Sequence, residues 1–300
     1  MKKPDLSIVI LNYNTSSLLK GCLESLYKCK DDLSFEVIVV DNGSSDGSWQ
    51  MLEREFKWAR VVETGENLGF AGGNNKASGL VKSEYVLFLN TDVIVPRNTL
   101  EKCLDYLKEN KLGALTCKLI LADGKPDKDA RRSFITPWIG LIHLFLKLDL
   151  MFPKSKLFAR YWYGYISEDE IHEVDAIQGA FFLTRKKILD EVGWFDEDYF
   201  LDAEDIDLSW KIKMKGYKIV YYPKVWVTHL KGATKGKNRN VKKYISLKEK
   251  LKFRLSGVNS MEIFYRKRLW KKYPPVLNYL VLLGINVIKI LRTVQILIFK

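Results

Sequence analysis

Four short segments of this chain carry the residue types from which a site for a polar ligand is built. Each follows a run of apolar, often β-branched residues, and each is rich in asparagine, aspartate or glycine. The segments are Asn12-Tyr13-Asn14, Asp41 to Gly47, Asn67 to Asn75, and Asn90-Thr91-Asp92. Any one of them alone has a simple explanation, because Asn, Asp and Gly form turns. Four in succession favour a shared binding site, provided that the fold brings them to one edge.

A second cluster is acidic. Asp202, Glu204, Asp205 and Asp207 lie within six residues, just ahead of a helical pattern. Acids at a helix N-terminus complement its dipole, and we expect Asp207 to do so. Four carboxylates exceed that need, and their mutual repulsion must be offset by a cation or a proton. The cluster is therefore a candidate catalytic site, and His229, which follows another apolar run, is a candidate metal ligand.

The elements that must position these residues alternate between strand and helix patterns. Unbroken apolar runs predict buried parallel strands, and the βαβα order predicts a doubly wound α/β fold with a mostly parallel sheet and helices on both faces. Ligands of such sheets bind at the carboxyl ends of the strands, where the four polar segments lie. Strands are predicted at 7–11, 36–40, 59–63, 85–89 and 114–120, and helices at 16–27, 47–56, 74–80 and 98–109.

The second half of the chain continues this alternation less regularly. A strand is predicted within 174–185, helices at 186–192 and from the acidic cluster to Gly216, and strands at 218–222 and 225–228. The apolar stretch 137–146 has a helical pattern. It fits either a core helix or a surface helix that dips into lipid, and we favour the second.

Charge divides the chain. The net charge is +13, and residues 231–300 hold 18 Lys and Arg against two acids, so the first 230 residues are slightly acidic. A basic tail indicates an anionic partner, either nucleic acid or phospholipid headgroups. Because no nucleic-acid-binding motif is present and an apolar helix follows, we expect a membrane surface and no nucleic acid. The four cysteines form no CxxC pair, which argues against a zinc site and a disulfide framework.

Residues 276–300 are long and apolar enough to span a bilayer. Their polar members, Asn278, Asn286, Lys289, Arg292 and Thr293, fall within an arc of roughly 120° on a helical projection. Burying either cation at the centre of a span costs about 2.5–3.5 kcal/mol, which an amphipathic helix in the interface avoids. We therefore predict a domain at 1–230 and a basic, helical, membrane-associating region at 231–300. A true span and a partner-docking or dimer helix are the alternatives.

The N-terminus shows no secretion signal, since its first apolar run is short and is followed by polar residues. Together with the basic tail, this predicts a cytoplasmic protein bound peripherally to the inner face of the cell membrane.

These motifs, taken together, resemble glycosyltransferase family 2, which has the GT-A fold, and within it the rhamnosyltransferase-like branch of cell-envelope polysaccharide enzymes. The resemblance rests on six segments that follow one another in the family's order between residue 6 and about residue 230. They are 7–14, 39–47, 67–74, Leu89-Asn90-Thr91-Asp92, Gly179-Ala180-Phe181-Phe182 and 204–208.

The resemblance implies a donor site. Tyr13 would stack on a nucleotide base, and Asp41 would accept the base's imide N–H, a donor edge that suits uracil or thymine. The remaining donor contacts would come from Asn12, Asn67, Asn74 and Asn90. Asp92 and His229 would bind Mg²⁺ or Mn²⁺ at the diphosphate, cations that prefer oxygen ligands. Asn90 stands where the family's Asp-x-Asp motif has its first aspartate, which removes one charge.

The resemblance also implies the chemistry. Asp205 would be the general base of an inverting, single-displacement transfer. Gln178, Trp194, Asp202 and Glu204 would contact the acceptor or the sugar. The predicted function is metal-dependent transfer of a sugar, with dTDP-rhamnose favoured as donor, to a lipid-linked or polysaccharide acceptor of envelope glycan synthesis. Alternatives are a UDP-sugar donor (hexose, N-acetylhexosamine or galactofuranose) and a non-catalytic nucleotide-binding homologue.

Overall fold

A nine-stranded sheet lies at the centre of the computed structural model, which describes residues 3–231 and 247–298. The basic segment 232–246, part of the predicted membrane-associating region, lies outside the described residues. The strands are β1 (Leu6–Asn12), β2 (Phe35–Asp41), β3 (Arg60–Glu63), β4 (Tyr85–Asn90), β5 (Val93–Ile94), β6 (Ala114–Leu121), β7 (Arg131–Arg132), β8 (His172–Glu173), β9 (Ala176–Ile177), β10 (Phe181–Arg185) and β11 (Ile219–His229).

The sheet order is β3-β2-β1-β4-β10-β6-β11-β5, with β8 also paired to β11 and β7 paired separately to β9. Neighbours β3, β2, β1 and β4 are parallel, as are β6 and β11, whereas β10 runs antiparallel to both β4 and β6. The predicted α/β fold with a mostly parallel sheet is thus confirmed, with β10 as its reversed central strand. The carboxyl ends of β1, β2 and β4 meet at one edge.

Helices cover both faces of this sheet and continue into the C-terminal region. They are α1 (Ser16–Tyr27), α2 (Ser48–Glu55), α3 (Gly69–Asn75), α4 (Thr99–Glu109), α5 (Pro137–Gly140), α6 (Leu148–Met151), α7 (Lys186–Val192), α8 (Glu204–Met214), α9 (Leu247–Phe264) and α10 (Pro275–Ile298). The apolar stretch after α5 continues as a π-helical turn, Leu141–Leu146. The two strands predicted at 218–222 and 225–228 are one strand, β11, with an irregularity between Tyr222 and Trp226.

One helix was predicted in the wrong place. The expected helix 74–80 is α3, which begins at Gly69 and ends at Asn75. Glycines disfavour helices in sequence patterns, but here tertiary contacts override that preference. A Cβ on Gly73 would lie 2.4 Å from the Leu11 side chain, so only glycine lets α3 approach β1 this closely. The Asn67 carboxamide oxygen accepts a hydrogen bond from the Gly69 N–H at 2.9 Å and starts the helix.

The C-terminal helices pack on the first 230 residues through a second apolar cluster. Tyr199 and Trp210 belong to it together with Phe264, Tyr265 and Leu282 of the C-terminal region. An ion pair reinforces the contact, because the Arg268 guanidinium donates to both oxygens of Asp207, at 2.7 and 3.0 Å. Helix α9 and the turn that follows it therefore contact α8, the helix that begins with the acidic cluster, and α10 packs on α9.

The first residue of the polar arc predicted for the last helix, Asn278, faces the protein interior. Asn278 is buried: its amide donates to the carbonyls of Trp270 and Tyr273, and its oxygen accepts from Tyr265 Oη. The exposed surface of α10 carries an apolar face that includes Val276, Tyr279, Leu280, Leu283, Leu291 and Ile298. Asn286 and Arg292 of the predicted polar arc are exposed as well. By length and composition α10 could cross a membrane, and most of its side chains face away from the protein.

Candidate active site

A cleft of about 630 Å³ opens at the edge where the polar segments meet. It is lined by residues of all four strand-end loops, by the end of β11 and by the acidic segment before α8. The predicted site residues among its lining are Tyr13, Asn67, Asn90, Asp92, Gln178, Asp202, Asp205 and His229. The fold therefore brings together residues that are more than two hundred positions apart in the sequence.

Side-chain hydrogen bonds tie the loops to one another. The Thr15 hydroxyl donates to Asn12 Oδ1 at 2.8 Å and lies 2.9 Å from the Thr91 hydroxyl, which joins the first and fourth loops. Asn42 donates to Asn67 Oδ1 at 3.0 Å and accepts from the Leu68 N–H, which joins the second and third. These contacts join the four loops into one cleft wall.

Three predicted donor residues are buried beneath this wall and do not line the cleft. Asn12 donates to the Ser44 hydroxyl at 3.0 Å, and Asp41 Oδ1 accepts from the Ser44 N–H at 3.0 Å. Asn74 lies inside α3 and donates to the Phe70 carbonyl at 2.9 Å. In the structure these side chains order the loops that line the cleft, because their polar atoms are hydrogen-bonded to neighbouring backbone and hydroxyl groups.

Asp92 and His229 meet at the bottom of the cleft. His229 Nε2 lies 3.4 Å from Asp92 Oδ1, and its Nδ1 lies 2.8 Å from Asp127 Oδ2. Burial lowers the pKa of His229, but hydrogen bonds and charge from Asp127 and Asp92 outweigh it and raise the pKa to about 9. Burial likewise opposes, without overcoming, the effect of His229 and Lys231 on Asp127, whose pKa falls to about 2.

This arrangement fits a divalent cation. A carboxylate bonded to Nδ1 of a histidine orients the ring so that Nε2 can bind a metal once the metal displaces the Nε2 proton, and here Asp127 occupies that position behind His229. Among the described residues no group of three or more His, Cys, Asp and Glu could hold a metal ion. Asp92 and His229 would thus supply two ligands, and a bound diphosphate would have to supply oxygen ligands of its own.

Asp205 lies near the reversed strand β10, in a strongly polar environment. Its Oδ2 accepts from Arg132 Nη2 at 2.7 Å and from the Gly179 N–H at 3.0 Å, and its Oδ1 accepts from the Ile206 N–H. The Gly179 position is crowded, since a Cβ there would lie 3.0 Å from the Phe70 ring. The carboxylate is therefore held at the cleft wall by three donors, two of them backbone groups.

Glu204 and Asp202 complete the acidic segment. Glu204 is buried, and its Oε2 has no hydrogen-bond partner among the described residues. Burial above all, and then the charges of Asp205 and Asp202, raise its pKa well above the ordinary value. Asp202 and Ala203 have positive φ angles of 68° and 66°, a strained pair of the kind that persists where the surroundings over-determine it.

The strained segment is clamped from two sides. The Phe200 carbonyl accepts from the Phe70 N–H at 2.7 Å, and a Cβ on Gly69, whose φ is +78°, would lie 2.3 Å from that carbonyl oxygen. From α9, the Ser256 hydroxyl donates to Asp202 Oδ2 at 3.2 Å. Both α3 and the C-terminal region therefore position the acids.

The geometry bears on two further sequence predictions. Asp207 lies in the first turn of α8, as expected, and it is fully buried there between Tyr199 Oη and the Arg268 guanidinium. Trp194, expected to contact the acceptor or sugar, lies in the core, where its indole N–H donates to Asp190 and its ring packs edge-on against Phe88. Its neighbour Gly193 ends α7 and turns the indole inward.

Three residues of the site were missed in the sequence. Asn42 adjoins the predicted Asp41, and the loop pattern alone could have included it. Asp127 and Arg132 lie in the irregular segment after β6, where no periodic pattern marks them. The proximity of Asp127 to His229 and of Arg132 to Asp205 depends on how that segment folds back across the sheet edge.

Comparison with known proteins agrees with this geometry. The family model described as glycosyl transferase family 2 matches residues 7–193. The poly-beta-1,6-N-acetyl-D-glucosamine synthase of Staphylococcus aureus is 28% identical over 233 residues, which cover 74% of this chain and 51% of that protein. The N-acetylglucosaminyl-diphospho-decaprenol L-rhamnosyltransferase of Mycobacterium tuberculosis is 26% identical, with 78% of each chain covered. This chain thus spans about half the length of the staphylococcal relative.

Solved structures show the same fold. A mannosyltransferase from Pyrobaculum calidifontis, in complex with GDP-Man and Mn²⁺, superimposes with a TM-score of 0.57 at 20% identity, over 92% of this chain and 67% of that one. S. aureus TarS 1-349 in complex with UDP-GlcNAc gives a TM-score of 0.51 at 19% identity, over 85% and 66%. The acidic segment and His229 lie beyond the residues that the family model matches.

Proposed function

We propose a reaction on the premise that this chain belongs to glycosyltransferase family 2 and is a nucleotide-sugar-dependent glycosyltransferase. It transfers a sugar, with inversion, from a pyrimidine nucleotide diphosphate donor to a hydroxyl of a lipid-linked or polysaccharide acceptor in cell-envelope glycan synthesis. The observation that carries the proposal is the single cleft in which Asp92, His229 and Asp205 face one another across the sheet edge.

The donor enters at the strand-end loops. Tyr13 offers an aromatic face to the base, and Asn67 and Asn90 line the same wall. Asp41 would accept the imide N–H of uracil or thymine, which requires the segment Asn42 to Ser45 to move and uncover a residue that is now 1% exposed. We favour dTDP-rhamnose because the mycobacterial relative is a rhamnosyltransferase; a UDP-sugar is the alternative, since the staphylococcal relative is a poly-N-acetylglucosamine synthase.

Asp92 and His229 hold Mg²⁺ or Mn²⁺ in this proposal, with Asp127 orienting the imidazole. Two structural neighbours, the mannosyltransferase from Pyrobaculum calidifontis and GalNAc-T7, were determined with Mn²⁺. When bound, the cation neutralises charge on the departing diphosphate. The chain's own contribution is to aim His229 Nε2 and the Asp92 carboxylate at one point of the cleft.

Asp205 removes the proton from the acceptor hydroxyl as the new bond to the anomeric carbon forms and the bond to the diphosphate breaks. Its three donors fix the carboxylate in position at the cleft wall. Gln178 Oε1, buried without a partner among the described residues, is placed to accept a sugar hydroxyl.

Peripheral attachment to a membrane is part of the proposal. The apolar face of α10 and a second set of exposed apolar side chains, among them Trp138, Leu141, Phe145, Leu150 and Met151, are unusual on a protein surface. They fit a monotopic interaction with the inner face of the cell membrane, which would place the cleft near a lipid-linked acceptor.

A thermal-shift panel tests the proposed donor and metal. Wild-type protein is heated with UDP-, dTDP- and GDP-sugars, each with and without Mn²⁺, beside Asp92→Ala and the control Asp105→Ala, which removes an exposed acid on α4. We expect metal-dependent stabilisation by a pyrimidine diphosphate sugar in wild type and the control but not in Asp92→Ala. No stabilisation by any of them would favour the non-catalytic reading, and stabilisation by a GDP-sugar alone would overturn the pyrimidine assignment.

A further inference from the structure

A second cavity, of about 810 Å³, lies between the segment Pro137–Leu146 and helix α10. We propose that this apolar groove binds the hydrocarbon chain of the acceptor, a long-chain lipid joined through phosphate to the sugar that is extended. The inference rests on the proposed function and narrows its acceptor to the lipid-linked class. It also assigns the groove as the site that recognises the lipid.

The groove has apolar walls on both sides. Leu141 and Phe145 form one wall, and Val281, Ile285 and Ile288 of α10 form the other. Phe145 crosses α10 at Gly284, where a Cβ would lie 3.0 Å from its ring, so the two walls meet there. The volume is within the range of pockets that enclose drug-sized ligands. Such a surface binds hydrocarbon in preference to a sugar, because the burial of apolar area is the main source of binding free energy there.

The groove is continuous with the catalytic cleft. Asp129, Arg132, Asp202 and Ala203 line both cavities. A molecule whose tail lies in the groove therefore reaches the cleft beside Asp205, where the acceptor hydroxyl must be. This continuity favours an amphiphile that occupies both cavities, since a purely apolar ligand would not interact favourably with the polar residues at their junction.

The junction carries a cationic group suited to phosphate. The side chain of Arg132 is 11% exposed, and its Nε is buried without a hydrogen-bond partner among the described residues. Guanidinium groups bind phosphate oxygens with paired N–H donors. Arg132 Nη2 already donates to Asp205, so a phosphate bound to the rest of the guanidinium would be fixed next to the base.

The other end of the groove opens toward lipid. Leu280 and Leu283 line the groove and are 58% and 60% exposed on the apolar face of α10. A hydrocarbon chain can pass from a bilayer into the groove along these two leucines, and the exposed Arg292 lines the same groove. A peptide or a second copy of the protein would cover the face, but neither explains the polar junction with the cleft.

The test compares two probes, a long polyprenyl diphosphate and the short geranyl diphosphate, in dilute neutral detergent. Affinities are measured for wild type, Leu283→Glu and the control Leu291→Glu. Both substitutions place a charge at an exposed leucine of α10, but only Leu283 lines the groove. We expect wild type to bind the long probe at least about tenfold more tightly than the short one, a preference worth roughly 1.4 kcal/mol. Leu283→Glu should lose most of that preference, and Leu291→Glu should keep it.

A photoreactive long-chain probe gives a second readout that needs no variant. Its crosslinks should map to 137–146 and to the groove side of α10. The inference would be overturned by equal affinity for the two probes, by an equal loss of affinity in both variants, or by equally tight binding of a phospholipid. It would also be overturned if inorganic diphosphate alone displaced the long probe, because the site would then bind only the phosphate. The sugar-nucleotide panel is run on the same samples. Donor binding without a preference for the long probe refutes the lipid-binding role of the groove but not the proposed function. Binding of the long probe without donor binding refutes the proposed function instead.

Discussion

Arg132 Nη2 lies 2.7 Å from Oδ2 of Asp205, and the two side chains are only 11% and 8% exposed. The proposed base is thus one half of a nearly buried ion pair that joins strand β7 to helix α8. Burial lowers the pKa of Arg132, but the charges of Asp205, Tyr161 and Asp129 and the hydrogen bond to Asp205 together outweigh it, so the pKa lies above its ordinary value. The pair holds the Asp205 carboxylate in place at the cleft wall.

Removing the cation alone should destabilise the fold. We expect Arg132→Met to lower the free energy of unfolding by about 3–5 kcal/mol, because it leaves a buried carboxylate without its partner. The double variant Arg132→Met/Asp205→Asn should recover much of that loss. Urea denaturation at neutral pH measures both. The control Lys125→Met breaks an exposed pair with Asp123 and should have no measurable effect; an equal loss there would contradict the buried-pair argument.

Asp205→Asn should separate chemistry from binding. The amide keeps the size of the side chain but cannot take the acceptor proton, so kcat should fall by roughly 10²–10⁴. Donor affinity, measured by calorimetry with metal present, should change little because the donor lies at the strand-end loops. Glu204→Gln is the matched comparison. If it, rather than Asp205→Asn, abolishes transfer, Glu204 is the base.

Asp127→Asn should weaken metal binding without touching a metal ligand. Asp127 orients His229 from behind, and loss of such a partner costs about 10–100-fold in metal affinity. Mn²⁺ titration in the presence of UDP or dTDP measures it. Asp169→Asn, which breaks only the exposed pair with Lys118, is the control. Unchanged affinity in Asp127→Asn would remove His229 from the proposed metal site.

Glu204 should make stability depend on pH. Burial and the charges of Asp205 and Asp202 raise its pKa in the folded protein above the unfolded value. Its contribution is therefore fully present below the unfolded pKa and is lost as pH rises toward the raised folded pKa. Glu204→Gln removes this contribution, so its stability relative to wild type should increase between about pH 5 and about pH 8. Denaturant curves across that range measure the difference; a constant difference would show that Glu204 is ionised in the fold.

Membrane binding should depend on the exposed apolar surface. Trp138 and Trp226 are 48% and 51% exposed, but only Trp138 adjoins the apolar segment 137–146. Trp138→Ser should weaken the affinity for anionic vesicles, measured by co-sedimentation, by about tenfold. The exposed half of the tryptophan side chain would enter the membrane, and the serine variant loses roughly half of a full tryptophan's free energy of transfer from water. Trp226→Ser should leave binding unchanged. Equal effects, or none, would contradict attachment through this surface.

Much of the fold could be predicted because the relevant information is local. The pattern of β1, α1 and β2 identified them to within a residue at each end, since buried strands and amphipathic helices differ in their apolar period. Helix α3 was misplaced because its glycines disfavour a helix, and only contacts with Leu11 and Phe200 explain them. The inward position of Asn278 on α10 depends on Tyr265 and Trp270, which the helical projection does not include.

The sequence by itself determined which residue types stand at the strand ends, and so the class of chemistry: acids, amides and a histidine at the edge where an α/β sheet binds ligands. Only the tertiary structure decided their partners. Asp127 bonds His229 across 102 residues, and Arg132 bonds Asp205 across 73. Periodicity reports the burial of a side chain and the backbone conformation around it. Which charge faces which is set by how the sheet edge and the irregular segment after β6 pack together, and a local pattern does not encode that.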